Sequence, residues 1–138
     1  MENKQQQEQK ELATVRAGYP VFDGGVTDEV RQSWKQAHGR VVAVDIYDDM
    51  AGERHIGYFR RPSMDTMSAV SAVSRQDELK GAEVMFKNCW LGGSPLVQND
   101  AILKTSALGA LGELFATCHT ELKNLSLIHI SEPTRLRR

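Results

Sequence analysis

Cysteine is scarce in this chain: Cys89 and Cys118 are the two among 138 residues. Each lies within an apolar helical pattern, so they are expected as separate buried thiols and not as a disulfide framework or a thiolate metal site. Long apolar runs are missing as well. No stretch of about 18 apolar residues occurs, and the opening MENKQQQEQKEL has no apolar middle such as a secretory signal carries. A cytoplasmic protein without a membrane partner is expected. Charge of one sign is not in excess either, with 17 basic against 18 acidic residues, which argues against whole-protein attraction to phosphate backbones.

The usual catalytic and metal-binding patterns are also missing. His38, His55, His119 and His129 are scattered, with no His-x-x-x-His pair and no Cys-x-x-Cys, so neither a metal nor a cofactor is expected. Gly24-Gly25 and Gly92-Gly93 are bare pairs without the Lys-Ser/Thr or GxGxxG context of a phosphate-binding loop. Asp45, Asp48 and Asp49 cluster without the glycine and bidentate glutamate of a calcium loop, and read as a solvated turn. His119 follows Cys118 directly, and neighbours on a helix point about 100° apart, which prevents a thiol and its base from serving each other.

What is present is one domain's worth of periodic pattern, 41% hydrophobic and 25% charged. Residues 1–26 form a polar, flexible or weakly helical arm followed by a Gly/Pro loop, AGYPVFDGGV, whose Tyr19, Val21 and Phe22 can dock on the body. Thr27 is an N-cap, Asp28 and Glu29 fill a first turn, Val30, Trp34 and Ala37 share a face, and Gly39 ends the helix. Within it Trp34 is a packing anchor and His38 a partner for the C-terminal dipole. RVVAVDIYD and ERHIGYFRR, separated by a turn, form a hairpin. Val42, Val44 and Ile46 share a face with either Ile56 and Tyr58 or His55 and Phe59.

Ser63 then caps a helix whose apolar side holds Met64, Met67, Val70 and Val73. Asp77 caps another, with Leu79, Ala82, Phe86, Cys89 and Trp90 in helical spacing up to the stop Gly92-Gly93-Ser94-Pro95. A last helix is expected from Asn99 or Asp100 to Lys123, with Ala107, Leu111, Leu114, Phe115, Cys118 and Leu122 on one face. Its Gly109 and Gly112 permit a close helix approach. The fold class is therefore α+β: an N-terminal helix, a two-stranded β-hairpin and a three-helix C-terminal region, making a single domain over residues 27–125.

Two features bear on binding. Met64 and Met67, with Val70, Met85 and Trp90, form a candidate partner surface, because methionine adapts to varied apolar helices. Arg54, Arg60 and Arg61 beside Tyr58 and Phe59 suggest a second, nucleic-acid reading; a charged strand edge that resists aggregation accounts for the same residues.

GYFRRPSMDTMSAV, EVMFKNCWLGG and the closing ELKNL resemble segments of a group of short phage and prophage proteins that are similar to tail assembly chaperones of long-tailed phages. The resemblance covers about Thr27 to Leu125, and rests on Phe59, Arg60, Arg61, Pro62 and Ser63 together with Asn88, Cys89 and Trp90. It implies a non-enzymatic role in a bacterial host, holding the helical tape-measure protein soluble and recruiting tail-tube protein. It carries no catalytic residue over, and the matching positions can be purely structural. The final run SLIHISEPTRLRR, residues 126–138, resembles a translated sequencing-adapter read-through and is expected as a disordered, non-native tail. Without it the chain loses Arg135, Arg137 and Arg138 against Glu132 and becomes more acidic.

Overall fold

The two β-branched runs pair as an antiparallel hairpin, β2 (Val41–Asp48) with β3 (Glu53–Arg60), in register Val42↔Phe59, Val44↔Gly57 and Ile46↔His55. Of the two faces left open by the sequence, the structure selects the one that carries His55 and Phe59. The computed structural model describes residues 3–125. The expected non-native tail, residues 126–138, lies outside the described residues, as does the side chain of Phe115.

β3 is the centre of a four-stranded sheet. β2 flanks one side; the other is shared by β1 (Val21–Phe22), parallel at Arg54 and His55, and β4 (Trp90–Gly93), antiparallel at Gly57 to Phe59. Both short strands fall in segments expected as a loop and a helix stop. Their pairing depends on missing side chains: a Cβ on Gly93 would lie 2.4 Å from the Ile56 carbonyl oxygen, and one on Gly24 2.1 Å from that of Gly93. Glycine at these positions therefore lets backbone lie directly on backbone.

The helices cover both faces of the sheet. On one, α2 (Asp28–His38) sets Trp34 against Tyr58, ring centroids 5.6 Å apart. On the other, α3 (Met64–Ser74), α4 (Glu78–Cys89), α5 (Pro95–Asn99) and α6 (Ala101–Gly112) enclose the core. Phe59, Phe86 and Trp90 form its aromatic centre, with centroid separations of 5.2 to 5.6 Å, joined by Val44, Met85, Cys89, Val97, Leu103, Ala107 and Leu111. The caps are local and form as expected: the Thr27, Ser63, Asp77 and Asp100 side chains accept from the amides of Val30, Thr66, Lys80 and Leu103.

Three expectations change. The arm contains a regular helix, α1 (Lys4–Ala17), capped by Asn3 and burying none of its residues. The segment expected as a helix stop contains a short helix of its own, α5. The last helix starts at its expected place, capped by Asp100, but stops early, passing into a 3-10 segment over Glu113–Thr117, so that Cys118 is exposed and Leu122 is 99% exposed. Among the described side chains Leu114 is the last packed on the core, and a helix gains its stability from such packing. Gly109 and Gly112 make no close helix approach, since a Cβ at either would meet nothing within 4 Å. The mixed α+β class stands, with more helices and strands than the pattern of apolar residues shows. No helix among the described residues is long and apolar enough to cross a membrane.

Candidate functional site

The first turn of α3 follows directly from the cap at Ser63, and the helix then presents two different sides. Val70 packs on the core and Thr66 is buried. α3 also fits closely against α4, where a Cβ on Gly81 would lie 1.8 Å from the Ser74 hydroxyl oxygen. Its far side is uncovered. Met64, Met67, Ser68, Ser71, Ala72 and Arg75 line a shallow groove of about 460 Å³ there. These positions recur at helical spacing, so they form one continuous stripe along the helix. Met64 is 79% exposed, Met67 is half-buried, and the small side chains of Ser68, Ser71 and Ala72 that follow them leave room for an apposed helix.

The other candidate partner residues are placed differently. Met85 is 5% exposed within the core and cannot contribute to a surface. Trp90 is half-buried, stacked on Phe86 and edge-on to Phe59. Helical periodicity identified these side chains as apolar, but the α3–α4 contact decides which of them face inward. Val70, half-buried, packs against the core and does not line the groove.

The residues that carry the phage-protein resemblance are mostly architectural. Phe59 is fully buried, Ser63 accepts the Thr66 amide at 3.1 Å, and Asn88 Nδ2 donates to the Val84 carbonyl at 2.8 Å. Cys89 is buried too; desolvation pushes its thiol up, opposed in part by the charge of Arg60. Arg60, Arg61 and Pro62 make the turn from β3 into α3.

The arginine–aromatic group of the nucleic-acid reading does not come together. Arg54 is neutralised by a bidentate pair with Asp45, at 2.8 and 2.5 Å, and stacks over Tyr47. Tyr58 is buried against Trp34, where its hydroxyl accepts from Arg31. Neither residue joins Arg60 and Arg61 in a continuous exposed surface.

A polar chain that motif searching did not reveal runs through the sheet. His55 Nδ1 lies 2.7 Å from Ser94 Oγ, and Nε2 lies 3.1 Å from Glu53 Oε1. A carboxylate only accepts, so Nε2 is the ring nitrogen that donates to Glu53, while Nδ1 pairs with the Ser94 hydroxyl, which can either donate or accept. Although this is the order of a hydroxyl, base and carboxylate, His55 and Ser94 are each 1% exposed and the Phe22 ring stacks on the imidazole at 5.1 Å. Glu53, His55 and Ser94, with Phe22 and Leu96, line a cavity of about 410 Å³. The chain acts as a buttress in that it ties β3 to β1 and to the start of α5. The sequence signal for it was the i, i+2 placement of Glu53 and His55 on one face of a strand; Ser94 is distant in sequence and gave none.

No family model matches the chain, and no curated protein matches it. A solved structure, an uncharacterised protein from Bacillus stearothermophilus, is similar over 67% of this chain and 99% of its own, with 20% identity and a TM-score of 0.47.

Proposed function

We propose that this chain is a tail assembly chaperone of a long-tailed phage or prophage, a non-enzymatic accessory protein that works in the host cytoplasm. Its partners on this reading are the tape-measure protein and the tail-tube protein. The observation that carries it is the uncovered α3 stripe. Eleven helical residues, Met64–Ser74, extend about 16 Å, enough to receive some three turns of a partner's apolar helix. Helix-in-groove recognition needs apolar anchors at helical spacing and room between them. The stripe supplies both, and its thioethers repack around partners of different shape. The resemblance of the β3–α3 turn and of α4 to the phage group supports the same reading.

Co-expression with the tape-measure and tail-tube products of the same genome tests it. The complex is expected to co-purify and to keep the tape-measure helices soluble. M64D/M67D places two charges on the stripe, and is expected to weaken binding by at least about tenfold, roughly 1.4 kcal/mol, with an unchanged circular dichroism spectrum. Absence of a complex and of any gain in solubility rejects the proposal.

A further inference from the structure

The turn that leads into α3 also forms one wall of a separate cleft. It has a volume of about 520 Å³ and is lined by His38, Gly39, Arg40, Arg60, Arg61, Pro62 and Ser63. Hairpin register brings its charges together. Val41 pairs with Arg60, so Arg40, which enters β2, lies beside Arg60 and Arg61, which leave β3, while His38 comes from the end of α2. A net charge of -1 over the whole chain conceals this local concentration.

The arginines elsewhere in the sheet region are each neutralised: Arg16 by Asp49, Arg31 by Asp28 and Arg54 by Asp45. Arg40, Arg60 and Arg61 form no ion pair with any carboxylate among the described residues, and no Asp or Glu lines the cleft. The side-chain hydrogen bond recorded for this trio runs from Arg60 Nη1 to the Arg61 carbonyl, 3.3 Å. The Ser63 hydroxyl is already engaged with Thr66, so recognition falls to the guanidinium groups. Three like charges that converge without internal compensation create a site for a counter-ion.

We propose that this cleft binds an oxyanion of the phosphate class, held by Arg40, Arg60 and Arg61 with His38 at the rim. Planar guanidinium forks match the paired oxygens of a tetrahedral anion, and a dianion relieves the repulsion among the cations. The cleft has no Phe, Tyr or Trp in its lining on which a nucleobase could stack. What it recognises is the phosphate group, whether free or as the terminus of a small monoester. The proposal is independent of the chaperone reading, because it uses none of the α3 stripe.

The test is a calorimetric and thermal-shift titration of the full chain with inorganic phosphate, with O-phosphoserine, and with sodium chloride at matched ionic strength. Saturable binding of phosphate, absent with chloride, is expected; tighter binding of O-phosphoserine identifies a monoester, and equal binding identifies the free ion. R40Q and R61Q, both at exposed positions, are each expected to weaken binding about tenfold. R61K, which keeps the charge and loses the fork, should fall between wild type and R61Q. K4Q, at the start of α1, should bind as wild type does. The proposal is overturned if phosphate acts no differently from chloride, or if R40Q and R61Q bind as well as wild type. Binding of oligoglutamate without phosphate binding also overturns it, in favour of an acidic protein segment. So does oligonucleotide binding without phosphate binding, in favour of a nucleic acid.

Discussion

His55 shows how one side chain settles a hairpin's orientation. Alternation allowed either Ile56 and Tyr58 or His55 and Phe59 to share a face with Val42, Val44 and Ile46, and hydrophobicity alone favours the former. The observed register places the histidine inside, where both ring nitrogens have partners in Ser94 and Glu53. Buried polar atoms are tolerated when paired and costly when not. Ser94→Ala should therefore cost about 1–3 kcal/mol, because it leaves Nδ1 buried without its partner. Urea denaturation would measure this, and a variant as stable as wild type would contradict the buttress role. Phe59, by contrast, was legible as an apolar strand residue, although its aromatic neighbours Phe86 and Trp90 were not, since they arrive from distant segments.

At the scale of elements, α1 is the most instructive case. A polar helix of 14 residues with no buried side chain is only marginally stable alone in water. It is joined to the hairpin turn at its C-terminal end: Arg16 donates to Asp49 at 3.0 and 2.6 Å, Tyr19 donates to the same carboxylate at 2.8 Å, and the Arg16 guanidinium lies over Tyr47. Hydrogen bonds from Arg16 and Tyr19 hold the Asp49 carboxyl down at about 2. Because this folded-state value is depressed, the clamp's contribution is fully present above the ordinary aspartate range and is lost as pH falls through the folded value. Docking of α1 should weaken between about pH 4 and pH 2, read from the Tyr19 and Tyr47 ring signals in NMR spectra. D49N should reproduce the effect at neutral pH, with faster tryptic cleavage in residues 4–17 and little change in the thermal midpoint. Equal cleavage of the two proteins would exclude the clamp. The capped helices α2, α3 and α4 were readable from sequence because a cap and its first turn lie within four residues. The early end of α6 was not, since it depends on where the core stops, and neither was α5, which forms within the segment expected as a helix stop.

For the whole molecule, the described core runs from Val42 to Leu114, and its members come from the hairpin and from α3 to α6 with the turn after it. Among the described residues, none after Thr117 adds a side chain to that cluster. Deletion of residues 118–138 should thus leave the thermal midpoint and cooperativity unchanged, as measured by calorimetry, and a large loss of stability would show that the C-terminal segment packs on the body. Exposed Cys118 is removed by the same deletion, whereas Cys89 remains in the core. The expected matching pair of buried thiols is thereby replaced by one buried and one accessible. The molecule also keeps its two proposed binding features apart in chemistry: an apolar stripe along α3 and a cationic cleft at its beginning.

By itself the sequence determined what is local: the caps at Thr27, Ser63, Asp77 and Asp100, the alternating hairpin strands and the α+β class. These depend on neighbours a few residues away, where steric and hydrogen-bonding rules act directly. Tertiary structure alone decided the rest: that β1 and β4 both join β3, that Met85 turns inward while Met64 stays open, and that Arg54 is neutralised while Arg40, Arg60 and Arg61 are gathered without a carboxylate. Each of those outcomes is a competition among residues far apart in the chain, settled by which surfaces pack and which charges find partners.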